Sequence, residues 1–357
     1  MGKSERGSTR RSRAVGEGSR GNIVPPFASS DWNRWPYRIG CPVWGCRHWG
    51  GAVYPKGSPS SEGLAWYSRM FPTVEGNSTF YSVPPAESFL KWSEQAASGF
   101  RFCFKFPRAI SHEHQLVGCE GMLKEWIERL DILASNDRLG PTFLQLGPSF
   151  SFAQFPQLAH FLKQLPSQWP WALEVRHRDW FDEGDKESRL EDLLRSLSID
   201  RVIFDSRPLN SLEASDASES ASQVRKPKVP LRTTVTGRRP MVRLIGRNDV
   251  QEVSEYWDEW AQTLCDWIIQ GLEPWIFTHA PDDTYAPSLV VDLHSRLQRK
   301  LEEREASIRL ESLPTLESYT LAASERSAID AQSVQESKLG QDGKPLQEGK
   351  WVQGDLF

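Results

Sequence analysis

Between position 38 and about position 300, short and nearly unbroken apolar runs alternate with longer stretches whose apolar residues recur every three or four positions. The runs fall at 38–44, 73–77, 100–106, 142–146, 171–176, 201–205, 241–245 and 275–279. They show little apolar–polar alternation, the pattern of parallel strands buried on both faces. The stretches between them (62–70, 87–96, 121–134, 155–164, 188–197, 253–269 and 288–302) carry the helical period. Gly99, Gly140-Pro141, Pro170, Pro240, Gly271 and Pro274 punctuate the joints. Eight strand–helix units in about 260 residues match a single α/β (β/α)8 TIM barrel in number and size. A doubly wound open sheet would show a Gly-rich phosphate turn after its first strand. Here that strand runs into Trp44-Gly45-Cys46-Arg47-His48-Trp49 instead.

Three segments fall outside this count. Residues 211–239 are Ser/Ala/Glu-rich and then basic (Arg225-Lys226-Pro227-Lys228), and are expected as a mobile insertion in the barrel domain 38–302. Residues 1–37 read as a mostly disordered basic tail, and 303–357 as a disordered polar tail. The net charge of −4 argues against broad nonspecific binding to nucleic acid or anionic membrane. No run approaches the length of a membrane span, and the N-terminus lacks the apolar core of a secretory signal. The five cysteines lack a second Cys/His pair at zinc spacing and fit a reducing cytoplasm, the expected location.

The strand ends concentrate the chemistry. In a barrel of this type the loops after the strands build the active face. They would deliver Trp44 from the first strand, Glu75, Asn77 and Tyr81 from the second, and Lys105 and Arg108 from the third. Gln145 follows from the fourth, Glu174, Arg176 and His177 from the fifth, Asp205 from the sixth, Arg243 from the seventh and His279 from the eighth. Ionisable groups in buried strands need a compensating site, which makes this end a candidate pocket. Glu75 and Glu174, from opposite sides of the ring, suit general acid and base, or could be salt-bridge partners of Arg176 and Arg243. Lys105, inside an apolar strand, could serve as a base or Schiff-base nucleophile, or pair with either glutamate. Glu174, His177 and Asp205 have the right atoms for a divalent metal, but the surrounding Arg and Lys favour a small anionic ligand. Trp44, Trp49 and Trp180 could stack on a sugar or base.

Glu75-Gly76-Asn77-Ser78-Thr79-Phe80-Tyr81, Lys105-Phe106-Pro107-Arg108, Gln145-Leu146 and Glu174-Val175-Arg176-His177 with Trp180 together resemble the YecE-like family. Its domain is catalogued as a domain of unknown function, number seventy-two. The resemblance implies a TIM barrel from about 38 to 299 and names neither a reaction nor a cofactor. The expected function is therefore an enzyme, a hydrolase, lyase or isomerase, using acid/base chemistry on a small anionic sugar-like or nucleotide-like substrate. Glu75, Lys105 and Glu174 would be its catalytic groups, with Arg176 and Arg243 clamping the anion.

The C-terminal Gln353-Gly354-Asp355-Leu356-Phe357 resembles the peptide by which bacterial repair and replication proteins dock on the sliding clamp, with Gly354 where Leu is usual. That supplies the alternative: a clamp-associated accessory protein in DNA metabolism, docking through Gln353, Leu356 and Phe357, with nucleic acid at the basic segments. A ligand-binding barrel without turnover is the third expectation.

Overall fold

Every apolar run becomes a strand. In the computed structural model, which describes residues 32–318, the strands are β1 (Arg38–Gly40), β2 (Thr73–Gly76), β3 (Arg101–Phe104) and β4 (Thr142–Gln145). They continue as β5 (Trp171–Glu174), β6 (Asp200–Asp205), β7 (Met241–Ile245) and β8 (Trp275–His279). The helices are α1 (Gly63–Met70), α2 (Ala86–Gln95), α3 (Glu120–Ser135), α4 (Phe155–Leu162), α5 (Asp185–Ser196), α6 (Arg207–Asn210), α7 (Ala217–Arg225), α8 (Ser254–Ile269) and α9 (Ala286–Glu303).

Six strands form one curled parallel sheet in the order β1-β8-β7-β6-β5-β4, and β2 pairs with β3 in a separate parallel ribbon. Backbone hydrogen bonds span both gaps. Glu75 N donates to Cys41 O (3.0 Å), Gly140 N to Phe102 O (2.8 Å) and Phe106 N to Phe143 O (3.0 Å). None of the helices among the described residues is long and apolar enough to cross a membrane.

Because side chains alternate along a strand, each strand divides its residues between two faces. Cys103, Phe143, Ala172, Val202, Met241, Trp275 and Phe277 pack together on the concave face. Ile39, Val74, Phe102, Leu144, Leu173, Ile203, Val242 and Ile276 join the larger cluster under the helices. In α9, Leu289, Leu293, Leu297 and Leu301 recur every four residues and are all buried there. Moving two residues along the concave face from that apolar layer gives Lys105 after Cys103, Gln145 after Phe143, Glu174 after Ala172, Arg243 after Met241 and His279 after Phe277. The site is thus the layer above the apolar plug.

The strands pack tightly where β1 ends. A Cβ at Gly40 would overlap the backbone carbonyl of Thr73 and press on the Tyr67 hydroxyl at 3.0 Å. Backbone cannot yield as a side chain can, so Gly40→Ala is expected to cost about 3 kcal/mol, read from the shift of the urea midpoint at unchanged m-value.

Buried side chains lie on both sides of the span 38–302. Trp32, Trp35 and Tyr37 are buried, Trp32 Nε1 donates to Ser68 O (2.8 Å), and Leu313 is buried beyond α9. The insertion 211–239, expected as mobile, contains α7 and is tied down by a buried ion pair. Arg247 Nη2 meets Glu219 Oε2 at 2.6 Å, and Asn248 N donates to Glu219 Oε1. Breaking such a pair leaves an uncompensated buried charge, which holds the segment against the loop after β7.

Candidate active site

Arg243 organises the strand ends. Its Nε and Nη2 donate to the two oxygens of Glu75 (2.8 and 2.7 Å), and its Nη1 donates to Glu174 Oε2 (2.6 Å). Its guanidinium lies over the rings of Phe143 and Phe204. The remaining carboxylate sites are also filled. Asn77 Nδ2 donates to Glu75 Oε1 (2.8 Å), and His279 Nε2 lies 3.2 Å from Glu75 Oε2. Gln145 Nε2 (2.8 Å) and Arg176 Nε (2.9 Å) donate to Glu174 Oε1.

Burial alone would push both carboxyls up. The Arg243 guanidinium, with His279, instead holds Glu75 well below the usual range, and Arg243 with Arg176 holds Glu174 at about 2. Bidentate, charge-assisted hydrogen bonds account for the direction. The two glutamates expected to face each other as acid and base therefore converge on one arginine, ionised and fully enclosed.

Above this cluster lies a cavity of about 470 Å³. Asn77, Phe80, Lys105, His112, Gln145, Arg176, Arg225, Lys226, Arg243, His279 and Asp283 line it. Lys105 is nine-tenths buried, yet among the described residues its amine has no hydrogen bond or ion pair; it rests 3.7 Å above the centre of the Phe80 ring. Burial, reinforced by Arg243 and only partly offset by Glu174, brings its pKa down to about 7. Burial and Arg243 likewise lower Lys226 to about 8. His112 and His279 both fall to about 4, chiefly through burial, so at neutral pH the two imidazoles carry no charge. Glu75, an acceptor only, fixes the proton of His279 on Nε2. The walls thus present mobile protons on lysines and permanent charge on arginines.

Of the expected binding residues, Asn77, Tyr81, Gln145, Arg176, Arg243 and His279 line this cavity, with Tyr81 projecting 80% exposed at its edge. Four expected residues do not. Trp44 packs edge-on against Trp92 (5.2 Å), and Arg108 is paired with Glu113 at the surface. The Nδ1 of His177 accepts the backbone N–H of Asp179. Asp205 occupies the opposite face of β6 from Phe204, where it accepts from Trp260 Nε1 (2.8 Å) and pairs with Arg207. The metal set Glu174, His177 and Asp205 is consequently split between faces. Among the described residues there is no group of three or more such ligands.

The other two tryptophans considered for stacking are buried elsewhere. Trp49 stacks on Tyr67, and Trp180 donates to Phe150 O. Phe80, His112, Arg225, Lys226 and Asp283 were not among the site residues expected from the sequence. The basic run 225–228 and the aromatic inside the β2 motif were the available signals. Gln353, Leu356 and Phe357 lie outside the described residues.

Comparison with known proteins follows the same boundaries. Residues 38–314 match the family described as "Protein of unknown function DUF72". The UPF0759 protein YecE of Escherichia coli (strain K12) is 39% identical over 240 residues, covering 67% of this chain and 87% of that protein. The UPF0759 protein YunF of Bacillus subtilis (strain 168) is 28% identical over 158 residues, 43% of this chain and 55% of its own length. A crystal structure of a DUF72 family protein from Enterococcus faecalis V583 superposes with a TM-score of 0.56 at 17% identity, covering 78% of this chain and 98% of that one. Another, from Thermotoga maritima MSB8, has a TM-score of 0.53 at 22% identity, covering 74% and 99%. At these identities the two structures speak for the fold alone.

Proposed function

The chain belongs to the DUF72 family, and on that footing we propose that it is an enzyme of proton-transfer chemistry acting on a small anionic, sugar-like or nucleotide-like substrate. The backbone bonds that span β1–β2 and β3–β4 support reading its sheet and ribbon as one closed (β/α)8 barrel with the site at its C-terminal face. The observation that carries the functional reading is Lys105. An amine held near its midpoint at neutral pH, open to a cavity and, among the described residues, without a carboxylate partner is suited to exchange a proton with substrate.

Arg176, Arg243 and Lys226 supply the positive wall that receives the anion. Glu75 and Glu174 act as positioning groups that hold Arg243, rather than as the acid–base pair themselves. A buried salt bridge contributes little net stability over apolar packing, so its place beside an open cavity supports a role in the site.

Thermal unfolding in the presence of inorganic phosphate, sugar monophosphates and the parent neutral sugars tests this. The phosphorylated compounds are expected to raise Tm by roughly 5 °C at about 100 times Kd, and neutral sugars to do nothing. Arg176→Ala, at a half-buried position that leaves Arg243 and Gln145 on Glu174, should remove most of the shift. Equal shifts from neutral and anionic sugars would sink the anion-site reading.

A further inference from the structure

Lys105 has a property that proton transfer alone does not require. The cavity already holds two neutral imidazoles, His112 and His279, and at least two arginines for fixed charge. The lysine lines the cavity, facing Arg243 from β7, Glu174 from β5, Arg176 from the loop after β5, Glu75 from β2 and His112 from the turn after β3. Among the described residues none of these carboxylates comes within ion-pairing distance of its amine, which rests against the Phe80 ring face.

We propose that Lys105 is the nucleophile of a carbonyl-capturing site, forming an imine with an anionic aldehyde or ketone. This rests on the anionic-substrate reading above and names the substrate class within it. In the step, the neutral amine adds its nitrogen lone pair to the carbonyl carbon, and the C=O π pair moves to oxygen. Transfer of the nitrogen's proton to that oxygen through solvent gives the carbinolamine. Uptake of one further proton expels water and leaves the protonated C=N bond. No oxidant or reductant enters.

Three features favour this product. Among the cations lining the cavity only the two lysines can give up a proton readily and offer a lone pair, and Lys105 is the more deeply buried of them, whereas Lys226 is left to meet the anion. A pKa of about 7 leaves about a thousandfold more neutral amine at pH 7 than an ordinary surface lysine has. The Phe80 face that now holds the ammonium would hold the iminium cation equally well. The substrate's own negative charge, received by Arg176 and Lys226, would offset the cation that the iminium leaves in a positive pocket. His112, packed edge-on to the same Phe80 ring at 5.0 Å, is then placed to accept a proton from the carbon next to the imine.

The test is reductive trapping. The full chain is incubated at pH 7 with glycolaldehyde phosphate and cyanoborohydride, and the adduct is located by intact mass and peptide mapping. One adduct on Lys105 is expected, forming on the order of tenfold or more faster than on surface lysines. Lys105→Arg and Lys105→Met should each abolish it, and excess inorganic phosphate should slow it. Glycolaldehyde without the phosphate should label Lys105 much more slowly. Adducts spread evenly over surface lysines, unchanged in Lys105→Arg, overturn the proposal. Phosphate binding is followed in parallel by thermal unfolding. A phosphate shift without a Lys105 adduct overturns imine formation and leaves the anion site standing, whereas the absence of both removes the anion-site reading as well.

Discussion

Replacing Arg243 by methionine is expected to cost about 3–5 kcal/mol of folding stability at pH 7, the largest effect of any single substitution in the site. The change strands Glu75 and Glu174, both fully enclosed, without the guanidinium that meets three of their four oxygens. The dependence on pH should then reverse. In the parent protein the carboxyl pKa values are depressed in the folded state. Their contribution is therefore fully present above the unfolded value of 4.5 and is lost as pH falls toward about 2 for Glu174.

Without Arg243, burial dominates and raises both carboxyls, so protonation relieves the variant. Its deficit should shrink between pH 7 and pH 5, measured as the difference in urea unfolding free energy. Combining Arg243→Met with Glu75→Gln and Glu174→Gln should recover a large part of the loss, because the stranded charges are gone. An Arg243→Met variant within about 1 kcal/mol of the parent at pH 7 would show that the cluster is not the energetic centre of the site.

Lys105→Met should move stability the other way. The folded-state pKa of Lys105, about 7, lies below its ordinary 10.5, so the unfolded chain binds the extra proton between those values. Parent stability therefore rises with pH through that window, and the full cost of burying the ammonium applies below pH 7. At roughly 1.4 kcal/mol per pKa unit the ceiling is about 5 kcal/mol; relaxation and water in the cavity reduce the expected gain from the methionine to about 2 kcal/mol. The gap should close as pH approaches 10. Comparing variant with parent cancels Lys226, which titrates nearby. The same variant should lose the trapped adduct, so stability and function would part company at one residue. A variant less stable than the parent at pH 7 would mean that the amine carries no burial cost.

Among the described residues element type was legible except for α6 and α7, and the limits of strands and helices shifted by a few residues. The first run was expected to reach position 44, whereas β1 stops at Gly40 and Cys41 and Pro42 already belong to the turn. The insertion 211–239 hid its helix because α7 is rich in Ser and Ala and packs through polar contacts to Arg247 and Asn248, which leave no apolar stripe to read.

The site was half legible. Glu75, Asn77, Lys105, Gln145, Glu174, Arg243 and His279 were all named from their places at strand ends, and they meet or line one cavity. Asp205 and Phe204 sit at the same strand end one residue apart, yet only Phe204 faces Arg243. Expecting Asp205 in the pocket ignored the period of two.

What the amino-acid order determines by itself is therefore the strand–helix alternation, burial on both strand faces, and a layer of ionisable groups at one end. Apolar runs report burial strongly, and a charge inside one demands a partner or a site. The tertiary structure alone decides which face each residue takes, since a strand buried on both sides has no polar face to mark its direction. It also decides the pairing. Arg243 and Glu75 stand 168 residues apart, and only the packing of ribbon and sheet brings both glutamates onto one guanidinium while leaving Lys105, among the described residues, with no carboxylate.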